Sequence, residues 1–201
     1  MDYSILKYLH VLGAVLIGGG LIGVWMADLR SRQLRELHGF AEAVRNIAVF
    51  YDGIVVPGAL ILLASGAWLI VRFHGGWAFL DEPWLAGMVV LFAFEFIEGN
   101  TITRLYFMRL RRLTKIALAE GRFTPELQAA RGEGLPTFTH FLDLPLLFVI
   151  IALGVVQPAT WSLFAVGAAA ALLVATALTI LVPRLYPWKE QESSASPRIS
   201  S

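Results

Sequence analysis

The chain has 201 residues, 57% of them hydrophobic, and its 18 glycines bring the apolar share to about two thirds, where a soluble domain holds about half. Charged residues make up 15% and mean hydropathy is +0.68, which excludes a water-soluble globule and leaves a polytopic membrane protein. A net charge of +1, from 16 Lys and Arg against 15 Asp and Glu, points to no nucleic-acid partner. With no cysteine, disulfides, thiolate zinc sites, cysteine-held iron–sulfur clusters and c-type haem attachment are excluded as well.

A membrane-crossing helix takes about 20 residues. The start, Met1-Asp2-Tyr3, carries an acid where a signal peptide is basic, so the first helix is expected to be retained. Spans are predicted over about 5-26, 47-73, 84-108, 138-157 and 161-182. The second is loosened by Pro57, the fourth carries His140, Asp143 and Pro145 near its start, and the fifth has no charge. The third is the weakest by hydropathy, because Glu95, Glu98 and Arg104 interrupt it.

Lys and Arg positions decide for it. Arg30, Arg32, Arg35 and Arg45 lie between spans one and two. Arg109, Arg111, Arg112, Lys115, Arg122 and Arg131 lie between three and four, and Arg184, Lys189 and Arg198 follow five. Five spans therefore put thirteen of the sixteen basic residues on one side, with the N-terminus outside and the C-terminus cytoplasmic. Removing the third would break the alternation. Residues 105–120 are expected to prolong the third helix, and Thr124-Pro125-Glu126 reads as the cap of a short helix ending near Gly132. The expected fold is an all-α transmembrane bundle, a four-helix core plus one C-terminal helix. Residues 1-186 form its single domain, and the Ser-rich stretch 187-201 is a disordered cytoplasmic tail.

Ionisable groups inside a bilayer are costly and count as functional candidates. His10 lies about 7 Å and Glu95 about 16 Å in from the outer end, at 1.5 Å rise per residue. His10 shares a bare stripe with Gly13, Ala14, Ile17 and Gly20. Such a face suits a flat macrocycle with imidazole as axial iron ligand, or equally a close helix–helix contact in which His10 bonds a neighbour. His74, the nearest second ligand on that side, reads as readily as a solvated loop residue before Gly75-Gly76.

Glu95 and Glu98 are spaced i, i+3, on one helix face. They suggest a proton-accepting site, a cation site or a protonated carboxyl bonded to its neighbour, with a structural polar network as the bland alternative. Arg104 is expected to snorkel to headgroups. Asp52, His140 and Asp143 lie toward the cytoplasmic ends of their helices, where an aspartate at a helix N-terminus reads first as a cap.

Met1-Asp2-Tyr3, Leu6 to Gly13 with the glycines to Gly20, Tyr51-Asp52-Gly53 through Val56-Pro57 to Gly66-Ala67-Trp68-Leu69, and Glu82-Pro83-Trp84-Leu85 follow one another in a pattern that resembles a bacterial membrane family, domain of unknown function 2269. The likeness covers roughly the first 158 residues, and the fifth span is an addition to it. More distantly, Lys7-x-x-His10 and Phe141-Leu142-Asp143-Leu144-Pro145 are similar to HemJ-type protoporphyrinogen oxidases and copper-resistance D membrane proteins. That resemblance implies haem b on His10, with a role in electron transfer or redox support. The chain departs from the oxidases at Gly87-Met88, where they carry a lysine, and lacks their Tyr-Leu-Pro-Arg stretch. The leading function is haem binding through His10 with Gly13, Gly20 and His74; the alternative is a proton- or cation-coupled transporter or channel subunit using Glu95 and Glu98. A structural accessory subunit is the third. The expected surroundings are a bacterial-type inner membrane, its lipid, and a membrane redox partner or a second copy.

Overall fold

The computed structural model describes residues 2–188. It contains α1 (Tyr3–Gln33), α2 (Leu37–Phe50), α3 (Val56–Phe73), α4 (Pro83–Glu98), α5 (Arg104–Glu120), α6 (Pro125–Arg131), α7 (Gly134–Val156) and α8 (Ser162–Leu185). A π-helical segment, Tyr51–Val55, joins α2 to α3 without a break, and another, Gly99–Thr103, joins α4 to α5. Among the described residues five continuous helices are long and apolar enough to cross a membrane: α1, Leu37–Phe73, Pro83–Glu120, α7 and α8. The fold is all-α, as the composition requires.

Local chemistry sets the ends. Pro83 and Pro125 open α4 and α6, where a missing N–H costs nothing, and the Thr124 hydroxyl accepts from Leu127 N at 3.3 Å. α5 stops at Gly121, whose φ of +69° lets Arg122 N return to the Ala117 carbonyl at 3.2 Å.

The long helices outrun the predicted spans at one end. α1 continues to Gln33, the second long helix begins at Leu37, and α7 begins at Gly134. These extensions meet at the end of the bundle that carries most of the Arg residues, hereafter the basic end. At this end α2, α5 and α6 bury Phe40, Val44, Ile47, Leu110, Ala117 and Leu127 in an apolar cluster of their own. Trp188, at the start of the expected tail, is half-buried against this cluster, and residues 189–201 lie outside the described residues.

Inside the bundle α1 packs closely on α3. A Cβ at Gly13 would stand 2.8 Å from Leu62 N and 2.9 Å from Gly58 O, so the two backbones touch through glycine. α7 packs against α4 and α8, and less extensively on α1. α3 and α4, in contrast, hardly touch along their length.

Candidate functional site

The gap between α3 and α4 holds the acids. Glu95 and Glu98 project from α4, and Asp143 reaches them from α7. Asp143 and Glu95 line one cavity, and Glu98 is tied to α7 through Thr103 and Thr139. Asp143 is only 3% exposed. Its Oδ2 and Glu95 Oε2 are buried with no hydrogen-bond partner. Both residues line a cavity of about 100 Å³, whose other walls include Ile17, Leu21, Val55, Ala59, Phe92 and Leu147. That volume exceeds what a single water needs.

The π segments build this site. In an α-helix residues five apart diverge, but π turns bring i and i+5 onto one face. Thr103 thereby donates to Glu98 Oε1 at 2.7 Å, and its hydroxyl lies 2.9 Å from that of Thr139 on α7. The Tyr51 hydroxyl donates to Gly99 O at 2.8 Å, satisfying a carbonyl of the other π segment. Beside it, Arg104 pairs with Asp52 at 2.9 Å instead of snorkelling alone to the headgroups.

One turn from Asp143 toward the basic end stands His140, 2% exposed, with neither ring nitrogen hydrogen-bonded. Its Nε2 lies 3.9 Å from Asp28 Oδ2. Asp28 forms a buried ion pair with Arg32 at 2.9 Å. The Arg32 guanidinium sits 4.4 Å from the Trp188 ring centroid, and Arg131 sits 4.2 Å from the same ring. Arg131 also faces Phe40 and Phe123, and Trp188 Nε1 donates to its carbonyl at 3.0 Å. Burial pulls the Arg131 guanidinium down to about 10; Tyr106 works against the shift and Arg32 adds to it, so Arg131 stays cationic at neutral pH.

Asp143 and His140 are not helix caps. α7 starts at Gly134, which places them in its second and third turns, facing inward. His10 meets α3: its Nδ1 lies 3.2 Å from Ser65 Oγ, and a Cβ at Gly66 would stand 2.9 Å from its Cε1. The bare stripe beyond it is filled. Gly13 abuts the α3 backbone, and a Cβ at Gly20 would lie 2.5 Å from a Val55 methyl. A macrocycle cannot lie where another helix already does, so Gly13 and Gly20 do not fit a haem on this face. His74 is not brought beside His10; it caps α3, 3.6 Å from Glu82 Oε1 and edge-on to Trp84.

A family of predicted integral membrane proteins, DUF2269, matches residues 4–158 of this chain, more than three quarters of its length. The chain belongs to the DUF2269 family. No curated protein and no solved structure matches it. The DUF2269 match spans α1 to α7 and therefore every acid of the cluster, His140, Asp28, Arg32 and Arg131. It ends at Pro158, so α8 and the Trp188 contact lie beyond it.

Asp28, Arg32, Tyr51, Thr103 and Arg131 are site residues that the sequence does not single out. Asp28 and Arg32 carry a usable signal, an i, i+4 pair at the end of an apolar helix. Arg131 carries none.

Proposed function

We propose that this DUF2269 protein is a proton-coupled membrane transporter or channel subunit, with Glu95, Glu98 and Asp143 as its proton-binding site. The observation that carries this reading is the succession of buried polar groups leading from the cavity to the basic end: Glu95 and Asp143 at the cavity, the hydrogen-bonded Glu98, Thr103 and Thr139, then His140, 3.9 Å from Asp28 of the Asp28–Arg32 pair. Carboxyl groups facing one another in a low-dielectric interior repel too strongly to be ionised together, so the cluster holds protons. Hydroxyls pass a proton by rotating, and an imidazole with both nitrogens free takes one on one side and gives it on the other. A purely structural network would leave no buried carboxyl oxygen or imidazole unpartnered, since each such group costs stability.

Lys and Arg asymmetry supports a cytoplasmic basic end in a bacterial-type inner membrane. Haem b on His10 rests on resemblance alone once α3 covers the glycine stripe, and no redox partner is assigned.

The test is proton flux in proteoliposomes under an imposed membrane potential. Wild type is expected to acidify the lumen faster than protein-free vesicles, and Asp143→Asn and Glu95→Gln to fall to the protein-free rate. Wild-type flux at the protein-free level, or full flux in Asp143→Asn, overturns the reading.

A further inference from the structure

The cavity beside the acids has a composition unlike a water-filled proton pore. Apart from Tyr51, Glu95, Asn100 and Asp143, its wall is hydrocarbon, aromatic ring and the backbone of Gly99. It lies where α3 and α4 part, and Leu60, which lines it, is 53% exposed on the surface of a membrane-crossing helix. The mouth therefore faces lipid rather than either aqueous side.

We propose that this cavity binds a hydrophobic organic cation, an ammonium head carrying apolar substituents, which enters sideways from the bilayer between α3 and α4 and displaces a proton from the carboxyl cluster. The inference rests on the proton site proposed above and names what that site exchanges.

Three features converge on this ligand class. The unpartnered Asp143 Oδ2 and Glu95 Oε2 supply negative charge for the head and gain the partners they lack. The rings of Phe92 and Phe96, with centroids 5.9 Å apart, flank the same space and attract a cation through their faces. About 100 Å³ accommodates an ammonium with its first substituents, while the apolar remainder stays in the lipid-facing gap. Among the described residues no three His, Asp or Glu side chains converge as metal ligands do, so a bare inorganic ion would be left short of the oxygens it needs. An alkylated ammonium needs far fewer, because its charge is already dispersed and weakly hydrated.

Charge balances simply. One cation enters as one carboxylic acid gives up its proton, which leaves along the Thr103, Thr139 and His140 row, so the cluster's net charge is unchanged. The ionisable groups around Asp143 are Glu95 and Tyr51, which line the same cavity, and Glu98, tied to α7 through Thr103 and Thr139, with the Asp52–Arg104 pair next to Tyr51 in the chain and His140 one turn away on α7. None of them is a free cation that would neutralise the acids in the ligand's place.

The probe is benzyltrimethylammonium, titrated calorimetrically into the full chain in mild detergent, in two buffers of different ionisation enthalpy. The expected result is saturable binding with about one proton released per cation. Binding should weaken at least tenfold in Asp143→Asn and in Glu95→Gln, each checked for an unchanged elution profile. Neopentylbenzene, a neutral molecule of the same shape, should compete at least tenfold more weakly on wild type, a comparison that needs no variant. No saturable binding, equal affinity in Asp143→Asn, or equal competition by the neutral analogue overturns the assignment. Asp143-dependent proton flux without cation binding removes the ligand and leaves the proton site standing, whereas flux indifferent to Asp143 removes both.

Discussion

The Tyr51 hydroxyl donates to the Gly99 carbonyl at 2.8 Å, tying the π segment of one membrane-crossing helix to that of the next. π segments leave carbonyls poorly satisfied, and in this bundle the gap is closed by a side chain from the facing helix. Both segments adjoin the acid cluster, so the contact positions Glu98 and Thr103 as well as holding the helices together. Tyr51→Phe should cost about 1–3 kcal/mol, the usual penalty for stranding a buried acceptor. A lower thermal midpoint in detergent checks this, together with slower proton flux; an unchanged midpoint would show that Gly99 O finds another partner.

Two glycines in α1 should behave oppositely. A Cβ at Gly13 would meet backbone atoms of α3 at 2.8 and 2.9 Å, which cannot yield as a side-chain tip can. Gly13→Ala is expected to destabilise by about 1–3 kcal/mol through overpacking. Gly19 has nothing within 4 Å, so Gly19→Ala should be neutral or gain up to about 1 kcal/mol from helix propensity. Thermal unfolding of the pair measures the difference, and equal effects would place α3 elsewhere.

The Asp28–Arg32 pair is buried on both sides at 2.9 Å. Removing one partner leaves an uncompensated charge, so Asp28→Asn should cost about 3–5 kcal/mol, while replacing both by Leu and Met should cost clearly less. A double-mutant cycle on unfolding midpoints separates the cases. Additive losses would mean that the pair is not coupled.

Trp188 lies against both Arg32 and Arg131, with ring-to-guanidinium distances of 4.4 and 4.2 Å. Trp188→Ala removes both contacts and the bond to the Arg131 carbonyl, for an expected loss of about 1–3 kcal/mol. Its marker is faster proteolysis of the segment after α8. Unchanged cleavage would show that the ring holds nothing down.

For the haem reading the expectation is negative. Reduced-minus-oxidised spectra of purified protein should lack haem bands, because the glycine stripe that would receive a porphyrin is covered by α3. Bands that vanish in His10→Ala would restore the cofactor and move the functional centre from the acids to His10.

Five spans are legible in the chain because apolar length and alternating basic loops are additive along it, and the alternation suffices to keep the acid-bearing third helix. The short helix capped by Thr124 is legible for the same local reason. Asp143 is not, because its role turns on where α7 begins. Pro136, tolerated in a first turn, hides a start at Gly134, and a few residues of error turn an interior acid into a cap. The stripe of Gly13 and Gly20 has one sequence signature for two uses, and only the approach of α3 decides between them. In the sequence Arg32 and Arg131 look like two of many basic residues marking a membrane side. Their burial depends on Phe40, Phe123 and Trp188, most of them distant in sequence.

Glu95, Glu98 and Asp143 are held to take up protons as one site, and everything proposed for the protein depends on it. Infrared difference spectroscopy of proteoliposomes during acidification is the decisive measurement, since a protonated carboxyl has a carbonyl band that a carboxylate lacks. A single proton-binding cluster predicts a pH-responsive carboxylic acid band that is lost in Asp143→Asn and shifted in Glu95→Gln. A band absent from wild type, or identical in all three proteins, would contradict it.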